Sequence, residues 1–240
     1  MSAATPNIVL VHGAFADASG WRDVSDGLVQ RGFTVHAPAN PLRGVFGDAE
    51  YLRSFVTSLE GPAILVGHSY GGCVITNASA GLANVRAMVY IAAYAPDEGE
   101  TLVEAGALGG GSSELTKHLV TRPYPGAPEG DADGYIDPEY FHELFCADVD
   151  SDLAAFMAIG QRGVALSALV TPSGVPGWRT IPTWYQVSTN DATIPPEAER
   201  AMAARAGAHT SETAASHVAM ISRPDTAIEL ILTAVDQTNA

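Results

Sequence analysis

The sequence contains a serine whose neighbours suit nucleophilic chemistry. Residues 65–72 read LVGHSYGG, an apolar run that ends at Ser69, and Gly67, Ser69 and Gly71 fit the pattern G-x-S-x-G. This pattern is typical of a very tight turn from a strand into a helix, in which the serine adopts strained backbone angles. Glycine is expected on both sides because larger residues would collide with neighbouring backbone. The pattern predicts attack by the Ser69 hydroxyl, provided that a base accepts its proton.

The base is sought among seven histidines. His217, in AASHVAM, follows a short predicted strand and precedes the last predicted helix, which places it on a loop at the same sheet edge as Ser69. His12 and His68 lie in the motif turns, where packing or hydrogen bonding is the simpler role. We therefore predict that His217 is the base. The remaining histidines lie at a strand end, in the middle of the chain or in a polar loop: His36, His118, His142 and His209.

A carboxylate is needed to hold the tautomer of the histidine and to stabilise its imidazolium form. Asp191, in VSTNDATIP, comes just after the penultimate predicted strand, on the side where Ser69 and His217 would lie. The order Ser, Asp, His along the chain is the one expected for this architecture. Asp97 and Glu98, after the preceding strand, are alternatives, and Asp191 could instead cap the following helix. The prediction is a catalytic triad in which Asp191 is the acid.

Acyl transfer also requires hydrogen-bond donors for the oxygen of the tetrahedral intermediate. The backbone N–H of Tyr70, the residue after Ser69, lies at a helix start, where amides lack intrahelical acceptors. A second donor is expected from VHGAF, the loop after the first strand. The amide of Ala14 is the predicted donor, and that of Phe15 is the alternative. HGAF could also be an ordinary glycine turn without this role.

Alternating strands and helices would position these residues. Apolar runs predict parallel strands in NIVLVH, FTVHAP, AILVG, VRAMVYIAAYAP and TWYQVST, with a short strand near residues 210–213. Apolar residues at helical spacing between these runs predict helices, several of them ended by glycine. The predicted fold class is therefore α/β, a mostly parallel sheet flanked by helices with right-handed crossovers.

Residues 98–180 interrupt this alternation. They contain glycine- and proline-rich stretches such as TRPYPGAPEGDADG and short helical patterns such as DPEYFHELF. We predict core parts over 1–97 and 181–240, and between them a helical lid insertion above the carboxyl ends of the strands. A decorative insertion is the alternative. Aromatic residues that could shape an apolar substrate pocket, or belong to the core, are Phe15, Trp21, Tyr94, Phe141, Phe145, Phe156 and Trp178.

Composition limits the classes of function. The 240 residues include 12 Lys and Arg against 27 Asp and Glu, a formal net charge of −15, so neither nucleic acid nor an anionic membrane is an expected partner. The absence of a signal-peptide pattern, and of an apolar run near the roughly 20 residues that span a bilayer, predicts a cytoplasmic protein. Two cysteines and no phosphate-binding or dinucleotide motif predict neither a metal nor a cofactor. The sequence leaves open whether the chain forms a homodimer.

Four segments together resemble the α/β-hydrolase superfamily. VHGAFADASGW, GHSYGG, STNDATIP and SHVAM are similar to its corresponding segments, in the same order and across essentially the whole chain. Within it, the chain looks most like small hydrolases related to plant methyl-ester esterases and hydroxynitrile lyases. The resemblance implies Ser69 as nucleophile, Asp191 as acid and His217 as base. It also implies the amides of Ala14 and Tyr70 as oxyanion donors.

The two branches of that group differ at positions that this sequence contains. The lyases that it resembles have a threonine where this chain has Gly13, and a lysine just after the catalytic histidine, where this chain has Val218. Without an ammonium group to hold a departing cyanide, the esterase branch is favoured. We therefore expect a cofactor-independent serine hydrolase that cleaves small to medium, mainly apolar esters, or a related lactone, thioester or amide. The alternatives are a lyase or perhydrolase, and a ligand-binding signalling module with a slow or vestigial triad.

Overall fold

A parallel sheet of six strands forms the centre of the structure, a computed structural model that describes residues 5–238. The strands in chain order are β1 (Asn7–Val11), β2 (Thr34–His36), β3 (Ala63–Ser69), β4 (Val85–Ala93), β5 (Leu119–Arg122), β6 (Asp133–Ile136), β7 (Val164–Ala165), β8 (Thr183–Ser188) and β9 (His209–Thr213). The central sheet has the order β2-β1-β3-β4-β8-β9, and all its pairs are parallel. The predicted α/β fold class is confirmed.

Helices cover this sheet, with α1 packed against α10 and α2 packed against α3. The α-helices in residues 5–238 are α1 (Arg22–Val29), α2 (Val45–Thr57), α3 (Tyr70–Ser79), α4 (Leu102–Gly106), α5 (Pro138–Phe145), α6 (Ser151–Ile159), α7 (Ser167–Val170), α8 (Pro196–Arg205), α9 (Ala219–Ser222) and α10 (Pro224–Thr238). Short 3₁₀ helices span Ala18–Trp21, Leu108–Gly110, Leu115–His118 and Gly177–Arg179. None of the helices in this range has both the length and the apolar character to cross a membrane.

The middle strands of the sheet are buried and the outer ones are polar. Every residue of β3 is buried, and so is every residue of β4 except Arg86. Such continuous apolar runs are expected where helices cover both faces of a parallel sheet. The edge strand β9, with the sequence HTSET, is mostly exposed, and its polar side chains protect that edge from pairing with another chain. The nucleophile candidate therefore lies at the end of a fully buried strand.

The segment between β4 and β8, residues 94–182, leaves the central sheet. It contains α4 to α7 and also a three-stranded antiparallel sheet with the order β5-β6-β7. The sequence predicted only helices here, because strands of two to four residues are too short to show an apolar period. An ion pair between Arg43 and Asp133, and a backbone hydrogen bond from Ala165 to Leu42, join this segment to the core. Its role as a lid stays a prediction.

Candidate active site

Ser69 is the last residue of β3 and has a left-handed backbone, with φ 52° and ψ −125°. For a residue other than glycine such a conformation costs on the order of 1–3 kcal/mol. Glycine is required on both sides of it. A Cβ atom on Gly67 would lie 2.7 Å from the Gly71 carbonyl oxygen, and one on Gly71 would lie 2.3 Å from the Val11 carbonyl oxygen. The tight turn predicted from G-x-S-x-G is therefore present, and it presents Ser69 at the start of α3.

A buried hydrogen bond joins the two loops that carry the other predicted residues. His217, between β9 and α9, donates from Nδ1 to Oδ2 of Asp191 at 2.6 Å, and both side chains are fully buried. Oδ1 of Asp191 accepts the backbone N–H groups of Thr193 at 2.6 Å and Ile194 at 2.9 Å. Because a carboxylate can only accept, Nδ1 of His217 carries the proton and Nε2 is left as the acceptor. This tautomer is the one that a general base requires.

His68, the residue before Ser69, holds the loop that contains His217 against the turn at Ser69. Its Nε2–H donates to the backbone oxygen of His217 at 2.9 Å, and the two imidazole rings lie 4.6 Å apart. Burial, helped by the neighbouring His217, holds the pKa of His68 well below its ordinary value, so His68 stays neutral. Nε2 of His217 has no hydrogen-bond partner within residues 5–238, Ser69 included. In enzymes without substrate this hydrogen bond is often absent and forms when substrate binds.

The loop after β1 is held by a second buried histidine. His12 donates from Nδ1 to the Gly13 carbonyl at 2.9 Å, and its Nε2 accepts the backbone N–H of Asn40 at 2.9 Å. The Asn40 side chain in turn donates to the His12 carbonyl at 3.1 Å. Burial lowers the pKa of His12, which keeps this imidazole neutral. The loop that contains Ala14 and Phe15 is therefore fixed at its base.

The two residues that carry the predicted oxyanion donors line the same cavity as Ser69. Tyr70 is the first residue of α3, so its N–H has no intrahelical acceptor. The N–H of Ala14 has no backbone acceptor in the part of the chain that the structure describes. A Cβ on Gly13 would lie only 2.6 Å from Cβ of Ser69, which shows how closely the two loops approach. Phe15, with φ 60°, also lines the cavity, so its amide stays the alternative.

The side chain of Tyr70 is anchored by an acid that the sequence did not indicate. Its hydroxyl donates to Asp48 at 2.8 Å, and the same carboxylate accepts the backbone N–H groups of Arg43 and Gly44. Asp48 is buried, and that burial raises its pKa. Its place in the first turn of α2 could have suggested a helix cap, but nothing in the sequence pairs it with Tyr70. The contact fixes the residue that follows the nucleophile.

The cavity at Ser69 has a volume of about 170 Å³. It is lined by Ser69, Tyr70 and the loop after β1, and by Thr193 and Pro195 after β8. Most of the remaining wall comes from residues 94–182. The apolar residues of that wall are Tyr94, Leu102, Val103, Ala107, Leu115, Leu119 and Leu169.

Two of the predicted pocket aromatics, Phe15 and Tyr94, line this cavity. Phe145 packs against His217 with the ring centres 5.1 Å apart, and lines a second cavity of about 390 Å³ on the far side of Phe15. Phe156 also lines that second cavity, and it is 69% exposed. A substrate-pocket role for Phe156 stays a prediction, because the helical pattern of α6 indicates an apolar residue and not which cavity that residue faces.

Two further aromatics lie away from both cavities. Phe141 is fully buried in the core and packs against Phe145, 5.0 Å between ring centres. Trp178 is partly buried and donates from its indole N–H to the Pro96 carbonyl at 3.1 Å. Neither lines the cavity at Ser69; Phe141 fits the core alternative, and a pocket role for either residue stays a prediction. Trp21 is buried against the edge of the His68 ring.

The alternative acids are occupied elsewhere. Asp97 and Glu98 form ion pairs with Arg179 at 2.7 and 2.9 Å, and neither contacts His217. Asp191 does not cap α8, whose cap position is Pro195. Within residues 5–238 no group of three or more metal-binding side chains comes together. The arrangement can therefore supply a nucleophile, a base, an acid and backbone donors, which together are the parts of acyl transfer.

Comparison with known proteins agrees with this fold. A model described as the alpha/beta hydrolase family matches residues 8–230. A carbendazim-hydrolysing esterase of Nocardioides sp. (strain SG-4G) is 34% identical over 110 residues, which are 40% of this chain and 46% of that esterase, so the chain spans about half of that relative. Polyneuridine aldehyde esterase has a similar structure, with a TM-score of 0.83, 19% identity and coverage of 96% of this chain and 99% of that one. A pyrethroid hydrolase from Sphingobium faniae JZ-2 gives a TM-score of 0.80 at 22% identity, over 97% and 98% of the two chains. The predicted resemblance is confirmed.

Proposed function

The chain belongs to the alpha/beta hydrolase family, and on that premise we propose that it is a cofactor-independent serine hydrolase that cleaves carboxylic esters through an acyl-enzyme. The observation that carries this proposal is the buried 2.6 Å hydrogen bond between His217 and Asp191, on a loop that His68 holds against the Ser69 turn. The names of the relatives, a carbendazim-hydrolysing esterase and polyneuridine aldehyde esterase, support ester hydrolysis as the reaction class.

In the proposed mechanism the Ser69 hydroxyl attacks the ester carbonyl carbon while Nε2 of His217 accepts its proton. Asp191 stabilises the imidazolium that forms. The N–H groups of Tyr70 and Ala14 donate to the oxygen of the tetrahedral intermediate, which is worth about 2.7–4 kcal/mol for each donor. The intermediate then expels the alcohol, which takes the proton from Nε2. Water attacks the acyl-enzyme by the same steps and releases the acid.

The cavity supports a small, mainly apolar substrate. Its volume of about 170 Å³ is below the range of roughly 300–1,000 Å³ that accommodates drug-sized ligands. The part of the lining that comes from residues 94–182 consists mainly of leucine and valine side chains, with Ser113 and Thr116 among its polar residues. We expect a short acyl group to fit against this wall and long chains to be excluded.

Two residues favour hydrolysis over the lyase alternative. A Cβ atom on Gly13 would lie 2.6 Å from Cβ of Ser69 and 3.0 Å from the His68 carbonyl oxygen, so this backbone leaves no room for a threonine side chain. Val218, directly after the proposed base, is fully buried and apolar and offers no positive charge. A leaving group in this site meets no cation at the position where the lyases have lysine.

The proposal is tested by labelling with a fluorophosphonate and by turnover of p-nitrophenyl esters from acetate to decanoate. We expect rapid labelling, repeated turnover and a kcat/KM that falls with the longer acyl chains. Ser69→Ala should lose both labelling and turnover. Ser58→Ala, at an exposed serine of α2's carboxyl end, is the control and should keep both. Labelling that persists in Ser69→Ala would refute the assignment, and a burst without further turnover would favour the signalling module.

A further inference from the structure

A second acid is buried behind the proposed triad. Glu199, on α8, is fully buried, and its Oε2 accepts the backbone N–H of Ser188 at 3.1 Å. Its other oxygen, Oε1, is also buried and has no hydrogen-bond partner within residues 5–238. The neighbouring cation Arg200 does not neutralise it, because that guanidinium makes two hydrogen bonds to Glu212 at the surface. An ionised carboxylate in such surroundings would be very costly.

Glu199 and Asp191 meet at Ser188: the Ser188 N–H donates to the Glu199 carboxyl at 3.1 Å, and the Asp191 N–H donates to the Ser188 carbonyl at 3.2 Å. Two ionised carboxylates only accept hydrogen bonds, so they cannot bond to each other, and their charges repel. One of the two must therefore hold a proton. Asp191 accepts three N–H groups, from Thr193, Ile194 and His217, whereas Glu199 accepts only one. The negative charge is better stabilised on Asp191, and the proton belongs on Glu199.

We propose that Glu199 is a positioning residue that stays protonated and donates from Oε1 to the Asp191 carboxylate. The Ser188 N–H fixes the position of the Glu199 carboxyl group. The O–H of Glu199 is then the fourth hydrogen-bond donor to Asp191, and it helps to hold the Asp191 carboxylate against His217. This inference rests on the proposed role of Asp191. It also accounts for the one buried oxygen of Glu199 that otherwise has no partner.

The ionisable groups around Glu199 are consistent with this state. Burial, followed by the charge of Asp191, raises the pKa of Glu199 well above its ordinary value of 4.5. Burial raises the pKa of Tyr185 on β8 and of Tyr94 after β4, and the charge of Glu199 adds to both shifts, so these two tyrosines are uncharged. Arg200 lowers the pKa of Glu199 only as a minor influence. Asp191 is therefore the anion that sets the state of Glu199.

A raised pKa makes folding pH-dependent in a known direction. Above about pH 4.5 the unfolded chain releases the Glu199 proton while the folded protein keeps it. The contribution of Glu199 to the free energy of unfolding is therefore complete below that pH. It declines as the pH rises towards the pKa that Glu199 has in the folded protein. Over that window the unfolding constant rises about tenfold for each pH unit. Replacement by glutamine removes this contribution and keeps both an acceptor for Ser188 and a donor for Asp191.

Three variants test the proposal. Glu199→Ala should lower kcat about ten- to a hundredfold with little change in KM, because the Asp191 carboxylate loses a donor and the imidazole is less well placed. Glu199→Gln should restore kcat to within about threefold of the original, since the amide N–H replaces the acid O–H. Glu197→Gln, at an exposed position of the same helix, is the matched control and should change neither activity nor pH dependence.

Two measurements separate this positioning role from simple packing. Urea unfolding at several pH values should show Glu199→Gln gaining stability relative to the original protein as the pH rises. Infrared spectra should contain the carbonyl band of a protonated carboxylic acid that Glu199→Gln lacks and Glu197→Gln keeps. A missing band, or identical pH dependence in the two proteins, would overturn the proposal. Neither measurement requires that Glu199→Ala folds or that the protein cleaves an ester. A failure of this proposal can therefore be distinguished from a failure of the proposed function.

Discussion

Replacing Asp191 by asparagine alters the proposed triad with almost no change of shape. Oδ1 of Asp191 accepts the backbone N–H groups of Thr193 and Ile194 at 2.6 and 2.9 Å. The asparagine must place its amide oxygen there, because an NH₂ group could not accept those two hydrogen bonds. Its NH₂ group then faces Nδ1 of His217, where the carboxylate oxygen now lies 2.6 Å away. Nδ1 becomes the acceptor, and the imidazole proton moves to Nε2.

An imidazole with its proton on Nε2 cannot accept the proton of Ser69. In serine proteases the same substitution lowers kcat about 10⁴-fold for this reason. We expect a similar loss here, which corresponds to about 5.4 kcal/mol of transition-state stabilisation at 1.36 kcal/mol for each factor of ten. The N–H groups of Tyr70 and Ala14 are unchanged by the substitution. A low residual rate above that of the uncatalysed reaction should therefore remain.

The assay is the initial rate of p-nitrophenyl acetate hydrolysis, with the active fraction of each preparation titrated by fluorophosphonate. Asp97→Asn is the matched control, since that carboxylate is bound to Arg179 at 2.7 Å and lies outside the site. Urea unfolding of both variants shows whether either has lost its fold. If folded Asp191→Asn keeps more than about a tenth of the original kcat, tautomer control by Asp191 is refuted. A large loss in Asp97→Asn instead would assign the acid role to that residue.

Further predictions concern the packing that holds the nucleophile. Gly71→Ala should lower the free energy of unfolding by about 1–3 kcal/mol or more, because its Cβ would lie 2.3 Å from the Val11 carbonyl oxygen. Gly47 lies in a helix with open space around it, so Gly47→Ala should raise that free energy by about 0.5–1 kcal/mol. Urea unfolding measures both variants, and a Gly47→Ala protein less stable than the Gly71→Ala protein would contradict the assigned packing. Tyr70→Phe should cost about 1–3 kcal/mol, since buried Asp48 loses a donor. Because only the ionised carboxylate needs that donor, urea unfolding should show a smaller loss near pH 4 than at pH 7, and equal losses would count against an anionic Asp48.

The sequence was sufficient to predict the central sheet and the order of the candidate site residues. The central strands β1, β3 and β4 are nearly continuous apolar runs, so they are visible without knowledge of their neighbours. Ser69 ends β3, Asp191 follows β8 and His217 follows β9. In a parallel sheet the carboxyl ends of the strands meet at one edge, so their chain order was enough to group them. The identification of these residues as catalytic stays a prediction for the assays above.

The inserted segment and the buried polar contacts could not be predicted in the same way. Strands such as β7, with two residues, carry no period, and Phe141 and Phe156 belong to apolar patterns that do not show which cavity they face. Contacts such as Tyr70 with Asp48, or Glu199 with Ser188, join residues on different elements, and neither partner is unusual in its own segment. Only the packing of one element on another brings them together.

The two backbone turns that contain the proposed oxyanion donors are in direct contact. A Cβ on Gly13 would strike the Ser69 side chain, and one on Gly71 would strike the carbonyl oxygens of Val11 and His12. Each glycine thus belongs to one turn and lies against the other turn. The amides of Ala14 and Tyr70 lie one on each of these two closely packed turns. Backbone donors held in this way need no reorganisation when charge develops on the substrate oxygen, which is the condition under which such donors lower a barrier most.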